Sequence, residues 1–232
     1  MPGMLCDPGL WAEIEPRLDA DVVHAEISEP TITGMAEQVL SGVEGRFALV
    51  GLSLGAIVGF EVARLAPERL TGFAALSTNA AGPRPEQLRS WRRMAERTGD
   101  GEFSDVVEET LAGMFATPRP PGRLAAAYRA MAGRIGPERF LNQLAAQATR
   151  VDARENLRSL DVPALVLCGT ADALCPPEFH RDIAEHLPGA ELRELPGAGH
   201  LLPLEQPDTT ADLLNRLLRR CGTDRGGPPC PS

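Results

Sequence analysis

The sequence contains no lysine, so all of its side-chain positive charge at neutral pH comes from arginine. Lysine and arginine together number 23 against 32 aspartates and glutamates, which gives a formal net charge of −9. Nucleic-acid backbones and anionic membranes bind cationic surfaces. The charge balance therefore argues against nucleic-acid and membrane partners and favours a small-molecule partner.

Long hydrophobic runs are lacking as well. No apolar run approaches the roughly 18 residues that a membrane-spanning helix needs, and no basic residues precede an apolar stretch near the N-terminus, as a secretory signal would require. The sequence thus predicts a cytoplasmic protein. Its 232 residues, 43% of them hydrophobic, fit one domain with a sizeable core or a domain with a small insertion.

The cysteine and histidine spacings of metal sites are absent. No C-x-x-C, H-E-x-x-H or H-x-H pattern occurs, and the cysteines are odd in number and scattered. Both observations argue against a zinc site or a disulfide framework. The residues concerned are Cys6, Cys168, Cys175, Cys221 and Cys230, with His24, His180, His186 and His200.

Short apolar runs alternate with amphipathic stretches, which is the pattern of a parallel sheet covered by helices. The predicted strands are 21–27, 46–52, 70–77, 162–168 and 191–195. The predicted helices are 11–18, 33–43, 53–65, 178–186 and 208–219. The two richest strands are almost wholly apolar, as burial on both faces requires. We therefore predict an α/β fold with an open, mostly parallel sheet flanked by helices.

One segment interrupts this alternation. Residues 84–150 carry only helical patterns divided by glycine and proline clusters, which predicts a helical insertion far longer than an ordinary loop. It divides the predicted core into residues 1–83 and 151–220. The last stretch, 221–232, is rich in glycine and proline and is predicted to be disordered.

A candidate nucleophile lies in Gly51-Leu52-Ser53-Leu54-Gly55, which follows the most hydrophobic predicted strand and opens a predicted helix. In a G-x-S-x-G elbow the serine occupies a strained turn, and a side chain at either glycine would collide with the strand or the helix. The helix N-terminus directs partial positive charge toward Ser53. The alternative is a glycine-rich turn with a capping serine.

A serine hydroxyl becomes a good nucleophile only beside a base. Asp172 follows the fourth predicted strand, and His200 lies in the glycine-rich loop after the fifth. Because the carboxyl ends of parallel strands share one edge of the sheet, Ser53, Asp172 and His200 are expected at that edge. Asp172 as a helix cap, Asp152 or Asp161 in its place, and His200 as an ordinary loop histidine are the alternatives.

These motifs resemble those of the α/β-hydrolase superfamily, in particular its small, bacterial, lid-bearing, esterase-like members. The resemblance extends from residue 2 to about residue 220 and includes the chain order Ser, Asp, His. It rests on PGMLCD (2–7) with Trp11, GLSLG (51–55), GTAD (169–172), PGAGH (196–200) and LEQP (204–207). By this resemblance Ser53 is the nucleophile, His200 the general base and then acid, and Asp172 the group that orients the imidazole. The insertion 84–150 takes the place of the family's lid.

The resemblance also implies an oxyanion hole and a substrate pocket. The backbone N–H groups of Leu54 and Met4 would bind the oxyanion, with Leu5 as the alternative to Met4. Pro2 stands where the family has histidine, but a backbone donor does not need that side chain. The pocket candidates, for which core or lid packing is the alternative, are Leu52, Trp91, Met114, Phe115 and Leu201.

A serine at the elbow implies attack on a carbonyl group, an acyl-enzyme and its hydrolysis. The sequence therefore predicts a serine hydrolase of a small carboxylic ester, thioester or lactone that needs no metal or organic cofactor. Carbon–carbon bond hydrolysis, cofactor-free perhydrolysis and acyl transfer use a similar triad, and a non-catalytic ligand-binding protein is a further alternative. The oligomeric state stays open. Glu205 is interpreted as a structural residue of its turn, and Cys6 and Cys175 as bystanders.

In this family an apolar strand precedes the segment that corresponds to Pro2 and Met4, and further strands precede that one. The resemblance thus predicts that the core lacks its first strands, which would leave unpaired strand edges. The alternatives are that the true start lies upstream or that neighbouring strands close the gap. We expect the chain, if expressed alone, to be poorly soluble and weakly active.

Overall fold

A computed structural model describes residues 1–223, and a four-stranded parallel sheet lies at its centre. The strands are β1 (Phe47–Leu52), β2 (Leu70–Leu76), β3 (Ala164–Gly169) and β4 (Glu191–Leu195), paired in that order. Every residue of β3 is buried, and all but one residue of β2 are buried. Such apolar strands need cover on both faces of the sheet. The predicted α/β class with a parallel sheet is confirmed.

Helices supply this cover on both faces. They are α1 (Ile32–Gly42), α2 (Leu54–Leu65), α3 (Pro85–Gly99), α4 (Phe103–Leu111), α5 (Gly122–Thr149), α6 (Arg154–Leu157), α7 (Pro177–His186), α8 (Leu202–Glu205) and α9 (Pro207–Thr223). Ala74 and Leu76 of β2 belong to one buried apolar cluster, and Phe73 and Ala75 belong to another. Because successive side chains of a strand point to opposite faces, the sheet separates these two clusters.

The segment between β2 and β3 is helical, as the sequence predicts for residues 84–150. It contains α3, α4 and α5, and α5 is broken at Gly136, where φ is 70°, just before Pro137. The positive φ suits glycine, and proline has no N–H with which to continue the helix. These helices pack mainly on one another. Their role as a lid stays a prediction.

Two predicted elements near the N-terminus are wrong. The predicted helix 11–18 is replaced by two short 3₁₀ turns, Pro8–Trp11 and Glu15–Arg17. Pro16 lies inside the predicted helix, where it lacks the N–H donor and its ring blocks a continuous α-helix. The predicted strand 21–27 pairs with no strand in the part of the chain that the structure describes.

A groove of about 910 Å³ lies beside the unpaired segment 21–27 and β1. Alternate residues of the segment (Asp21, Val23 and Ala25) and residues 47–50 of β1 are among those that line it. At the carboxyl end of β1, the Met1 amino group donates to Val50 O at 2.7 Å, and the Leu52 N–H donates to Met1 O at 3.1 Å. These two bonds follow the pattern of parallel pairing. The predicted lack of earlier strands stays a prediction.

The C-terminal helix is longer than predicted. The sequence predicts a helix over 208–219 and a disordered tail from residue 221, whereas α9 continues to Thr223. Cys221 is partly buried and packs against the core cluster, so the last turn of α9 is held to the sheet. Residues 224–232 of the predicted tail lie outside the described residues. Within residues 1–223, no helix has both the length and the apolar character to cross a bilayer.

A buried carboxylate joins the two helices that pack together beside β1. Glu61 on α2 is only 7% exposed, and its Oε1 accepts a hydrogen bond from Thr33 Oγ1 of α1 at 2.7 Å. Arg64 donates to both carboxylate oxygens at 2.8 Å. The hydrogen bonds from Arg64 outweigh burial and hold the pKa of Glu61 below its ordinary value of 4.5. Ionised Glu61 therefore ties α1 to α2.

We expect Glu61→Gln to lower the free energy of unfolding at pH 7 by about 1–2 kcal/mol, because the variant loses hydrogen bonds to a charged, buried acceptor. The pKa of Glu61 is lower in the folded state than in the unfolded state. Its stabilisation is thus complete above about pH 4.5 and is lost as the pH falls through the folded-state value. Urea denaturation of variant and wild type at pH 7 and below about pH 4 measures both effects.

The matched control is Glu108→Gln, which breaks the exposed pair of Glu108 with Arg129. Exposed pairs contribute little because water screens them. Equal losses of stability in the two variants would contradict the role assigned to Glu61.

Candidate active site

The turn between β1 and α2 holds Ser53 in a strained backbone conformation. Its φ is 54° and its ψ is −114°, a combination that non-glycine residues rarely adopt. The Ser53 N–H donates to Leu76 O at 2.9 Å, which fixes the turn to β2. A Cβ atom on Gly51 would lie 2.5 Å from Ala56 N, so α2 approaches β1 too closely for a side chain there. The chain therefore forms the sharp strand-to-helix turn that the motif predicts.

The N-terminal segment packs directly on this turn. A Cβ atom on Gly3 would lie 3.2 Å from Ser53 Cβ, and a Cβ atom on Gly55 would overlap the carbonyl group of Met1. Both glycines thus allow close contact between two backbones. This packing brings the predicted oxyanion segment beside Ser53.

The backbone donors predicted for an oxyanion differ in their availability. The Leu5 N–H donates to Gln143 Oε1 of α5 at 3.0 Å and is buried. Among residues 1–223, no acceptor bonds to the N–H of Met4 or of Leu54. Of the two alternatives from the sequence, Met4 is therefore the one with a free donor.

Asp172 and His200 form a buried hydrogen-bonded pair. His200 Nδ1 lies 2.8 Å from Asp172 Oδ2, and each residue is only 3% exposed. Asp172 Oδ1 accepts from the N–H groups of Leu174 and Cys175, both at 2.9 Å. Burial acts to raise the pKa of Asp172, but His200 and these two N–H groups outweigh it and lower the pKa. Asp172 is therefore an ionised acceptor for His200.

Two loops at the carboxyl ends of β3 and β4 hold this pair. The Thr170 N–H donates to Leu195 O and the Ala171 N–H to Ala198 O, both at 2.9 Å. Ser53 lies after β1 at the same edge of the sheet. The structure pairs His200 with Asp172. In the described part of the chain no hydrogen bond joins the Ser53 hydroxyl to His200. Catalytic hydrogen bonds are often long in unliganded enzymes.

Buried His180 contacts the serine turn through Thr78, and it is not among the site residues predicted from the sequence. Thr78 Oγ1 donates to Ser53 O at 3.0 Å, and the Thr78 N–H donates to His180 Nε2 at 2.8 Å. Burial lowers the pKa of His180 to about 4, so the ring is neutral at pH 7. With Nε2 as acceptor, Nδ1 carries the proton and faces Pro176 O at 3.3 Å. No spacing rule links residues 102 positions apart, so sequence patterns gave no signal for this contact.

Most of the predicted pocket residues share one buried apolar cluster. Leu52 and Leu201 are fully buried, and Met114 and Phe115 are at most 5% exposed. Trp91 packs at the margin of the cluster, with the Arg150 guanidinium 5.4 Å from its ring centre. The cluster joins the carboxyl end of β1 to the chain between α4 and α5.

Two cysteine thiols near this edge are held neutral. Burial, with Asp7 close by, raises the pKa of Cys6 to about 12, and burial also raises the pKa of Cys175. Both thiols thus keep their protons at pH 7. Because only a thiolate is a strong nucleophile, neither cysteine is activated. Within residues 1–223, no three cysteine, histidine or acidic side chains are arranged to hold a metal ion.

Comparison with known proteins defines the class of this chain. Residues 7–213 match the model of the Alpha/beta hydrolase family, and the chain therefore belongs to that family. This finding agrees with the sheet order, the strained serine turn and the buried acid–histidine pair. The predicted family and fold class are confirmed.

Individual relatives of this chain within the family include esterases. A pimeloyl-acyl-carrier protein methyl ester esterase of Chromobacterium violaceum is 28% identical over 206 residues, which cover 86% of this chain and 74% of that protein. A thermophilic esterase structure from Thermogutta terrifontis, with malate bound, has a TM-score of 0.83 and 28% identity, covering 95% of this chain and 88% of that chain. An enol-lactonase structure from Burkholderia xenovorans shares the fold, with a TM-score of 0.79 and 21% identity over 94% of this chain and 89% of that chain. The relatives confirm the predicted enzyme class, an esterase-like hydrolase.

We expect Gly55→Ala to lower the free energy of unfolding by about 1–3 kcal/mol, because the added methyl group would push the Met1 carbonyl away from α2. Urea denaturation measures the loss. The matched control is Gly133→Ala in α5, where a Cβ atom has nothing within 4 Å and alanine favours the helix. An unchanged or raised stability of the Gly55 variant would show that the N-terminal segment does not pack on the turn as described.

Proposed function

We propose that this chain is a serine hydrolase that cleaves a small carboxylic ester through an acyl-enzyme, with Ser53, His200 and Asp172 as the catalytic triad. The observation that carries the proposal is the buried Asp172–His200 pair, at the same sheet edge as a serine in a strained turn. Buried carboxylate–imidazole pairs of this kind hold a general base ready for a serine hydroxyl. The family of the chain and the names of its relatives support the same chemistry.

Asp172 fixes the state of the base. Because its ionised carboxylate accepts the Nδ1–H of neutral His200, the lone pair is left on Nε2, where a serine proton can be received. When Nε2 takes that proton, the carboxylate stabilises the imidazolium. The burial of both side chains strengthens this interaction, since little water screens it.

Bond formation follows in two halves. His200 Nε2 removes the proton of Ser53 Oγ as Oγ attacks the ester carbonyl carbon, and the carbonyl oxygen becomes an oxyanion. The N–H groups of Leu54 and Met4 donate to that oxyanion. The tetrahedral intermediate then expels the alcohol, which takes the proton from His200. Water, deprotonated by His200, attacks the acyl-enzyme in the same way and releases the carboxylic acid and free Ser53.

The substrate class rests on the apolar cluster and on the relatives. Leu52 and Leu201, the chain neighbours of Ser53 and His200, pack with Met114 and Phe115 in one buried apolar cluster, and one relative is named for a methyl ester. We therefore propose an uncharged small-molecule ester, with thioesters and lactones as chemically related substrates. The helices of residues 84–150 would act as the lid over it. The cytoplasmic location predicted from the sequence is part of this proposal.

We expect Ser53→Ala to abolish hydrolysis of p-nitrophenyl butyrate, with a loss in kcat of at least about 10³-fold, because no other group can form the acyl-enzyme. Release of p-nitrophenolate measures the rate. The matched control is Ser77→Ala, which removes a buried hydroxyl without a partner at the end of β2, where φ is also positive. Equal rates in wild type and the Ser53 variant would overturn the proposed nucleophile.

A fluorophosphonate probe tests the same serine without a substrate. Intact-mass measurement should show one adduct on wild type and on the Ser77 control, and none on the Ser53 variant. An adduct at another residue, with Ser53 unmodified, would contradict the assignment.

We expect Asp172→Asn to lower kcat by about 10⁴-fold with little change in KM, because an amide at this position would favour the wrong tautomer of His200. Steady-state kinetics with p-nitrophenyl butyrate measure the two parameters. The control is Asp152→Asn, which changes a carboxylate bonded to Arg154 and leaves the Asp172–His200 pair intact. If the two variants lose the same activity, Asp172 is not the orienting carboxylate.

A further inference from the structure

Glu205 at the end of α8 bonds to two separate parts of the active-site edge. Its Oε2 accepts the Gly199 N–H at 2.8 Å, one residue before His200. Its Oε1 accepts the Ala116 N–H at 2.9 Å, from the chain between α4 and α5. One carboxylate therefore bridges the histidine loop and the helical insertion.

The contact between these two segments is close on both sides of His200. A Cβ atom on Gly199 would overlap the backbone of Phe115 and Ala116, so only glycine allows this approach. After His200, the Leu201 N–H donates to Met114 O at 3.2 Å. The N–H groups of Gly199 and Leu201, the residues on either side of His200, are thus both tied to the chain at residues 114–116, that of Gly199 through Glu205.

The partners of Glu205 fit a bridging role and not an ion pair. In the described structure no arginine side chain bonds to Glu205, and its two oxygens each serve one backbone N–H. Burial raises the pKa of Glu205, while the bonds from Ala116 and Gly199 act against that rise. A carboxylate offers two acceptors to two donors, whereas an amide would turn an NH₂ group toward one of the N–H groups.

We propose that Glu205 is a positioning residue that sets the place of the His200 ring by clamping its loop to residues 114–116 of the helical insertion. The inference rests on the proposed function of His200 as general base. Its consequence is that the insertion, besides packing in the buried apolar cluster, determines how well His200 is aligned. The structural role in its turn that the sequence predicts for Glu205 thus extends to catalysis.

The test is the kinetics of Glu205→Gln, with active sites counted by fluorophosphonate labelling. We expect kcat per labelled site for p-nitrophenyl butyrate to fall about 10- to 100-fold, because small displacements of a catalytic group cost rates of this order. KM should stay within about twofold, since the substitution leaves the buried apolar cluster unchanged. Glu205→Asp, which keeps the charge but has a shorter reach, should show a smaller loss and serves if the Gln variant does not fold.

The matched control is Gln206→Ala. Gln206 Nε2 donates to Pro196 O at 2.9 Å, so this variant also removes a side-chain bond to the same loop, but at its exposed start. We expect its kcat per labelled site to equal that of wild type. A loss as large as that of the Glu205 variant would overturn a specific role for the clamp.

A spectroscopic measurement separates this proposal from the proposed function. The proton shared by His200 Nδ1 and Asp172 gives a low-field proton resonance, which is assigned by its loss in His200→Gln. We expect the resonance to shift or broaden in Glu205→Gln and to stay unchanged in Gln206→Ala. If wild type does not hydrolyse esters but the resonance responds, the proposed function fails and the clamp stands. If kcat per site and the resonance are both unchanged, the clamp is wrong, whatever the melting temperature.

Discussion

The close approach of three backbone segments around Ser53 is the constraint on which the site depends. The first turn of α2 lies against the end of β1, and the N-terminal segment lies against both, which only glycine at positions 51 and 55 allows. Ser53 has its positive φ within this packing, and Met4 and Leu54, whose N–H groups have no acceptor among residues 1–223, follow Gly3 and Ser53 in the chain. The site is therefore built on rigid backbone contacts, which favour a fixed transition-state geometry.

Several buried polar groups around this framework have identified hydrogen-bond partners. Asp172 accepts from His200 and from two backbone N–H groups, and His180 accepts from Thr78. An unpaired buried charge would cost several kcal/mol, so partners of this kind are what allow charged and polar groups to lie at the sheet edge. The buried Cys6 thiol, by contrast, stays neutral, because burial raises its pKa.

The parts of the fold that follow from local pattern could be predicted from the sequence. All four strands of the sheet were expected within a few residues; for β1, β2 and β3 the signal is a nearly continuous apolar run, which is typical of buried parallel strands. Segment 21–27, like β4, mixes apolar with charged residues, but within residues 1–223 it pairs with no strand, and partners are set by the whole fold. Likewise, strand ends indicated Ser53, Asp172 and His200, whereas the contacts of Thr78 with His180 and of Glu205 with Ala116 join residues 102 and 89 positions apart. Such contacts leave no periodic signal.

The helical insertion is bonded both to the N-terminal segment and to the loop that carries His200. On one side, Gln143 of α5 accepts the Leu5 N–H, and of the two predicted oxyanion donors Leu5 and Met4 only Met4 has a free N–H among residues 1–223. On the other side, residues 114–116 hold the loop of His200 through Leu201 and Glu205. A cover that only opened and closed would need few bonds to the catalytic loops. Because residues 114–116 are bonded to Leu201 directly and to Gly199 through Glu205, a rearrangement of residues 114–116 would also move the groups beside His200. Under the proposed function, substrate access and the alignment of the base would then be coupled.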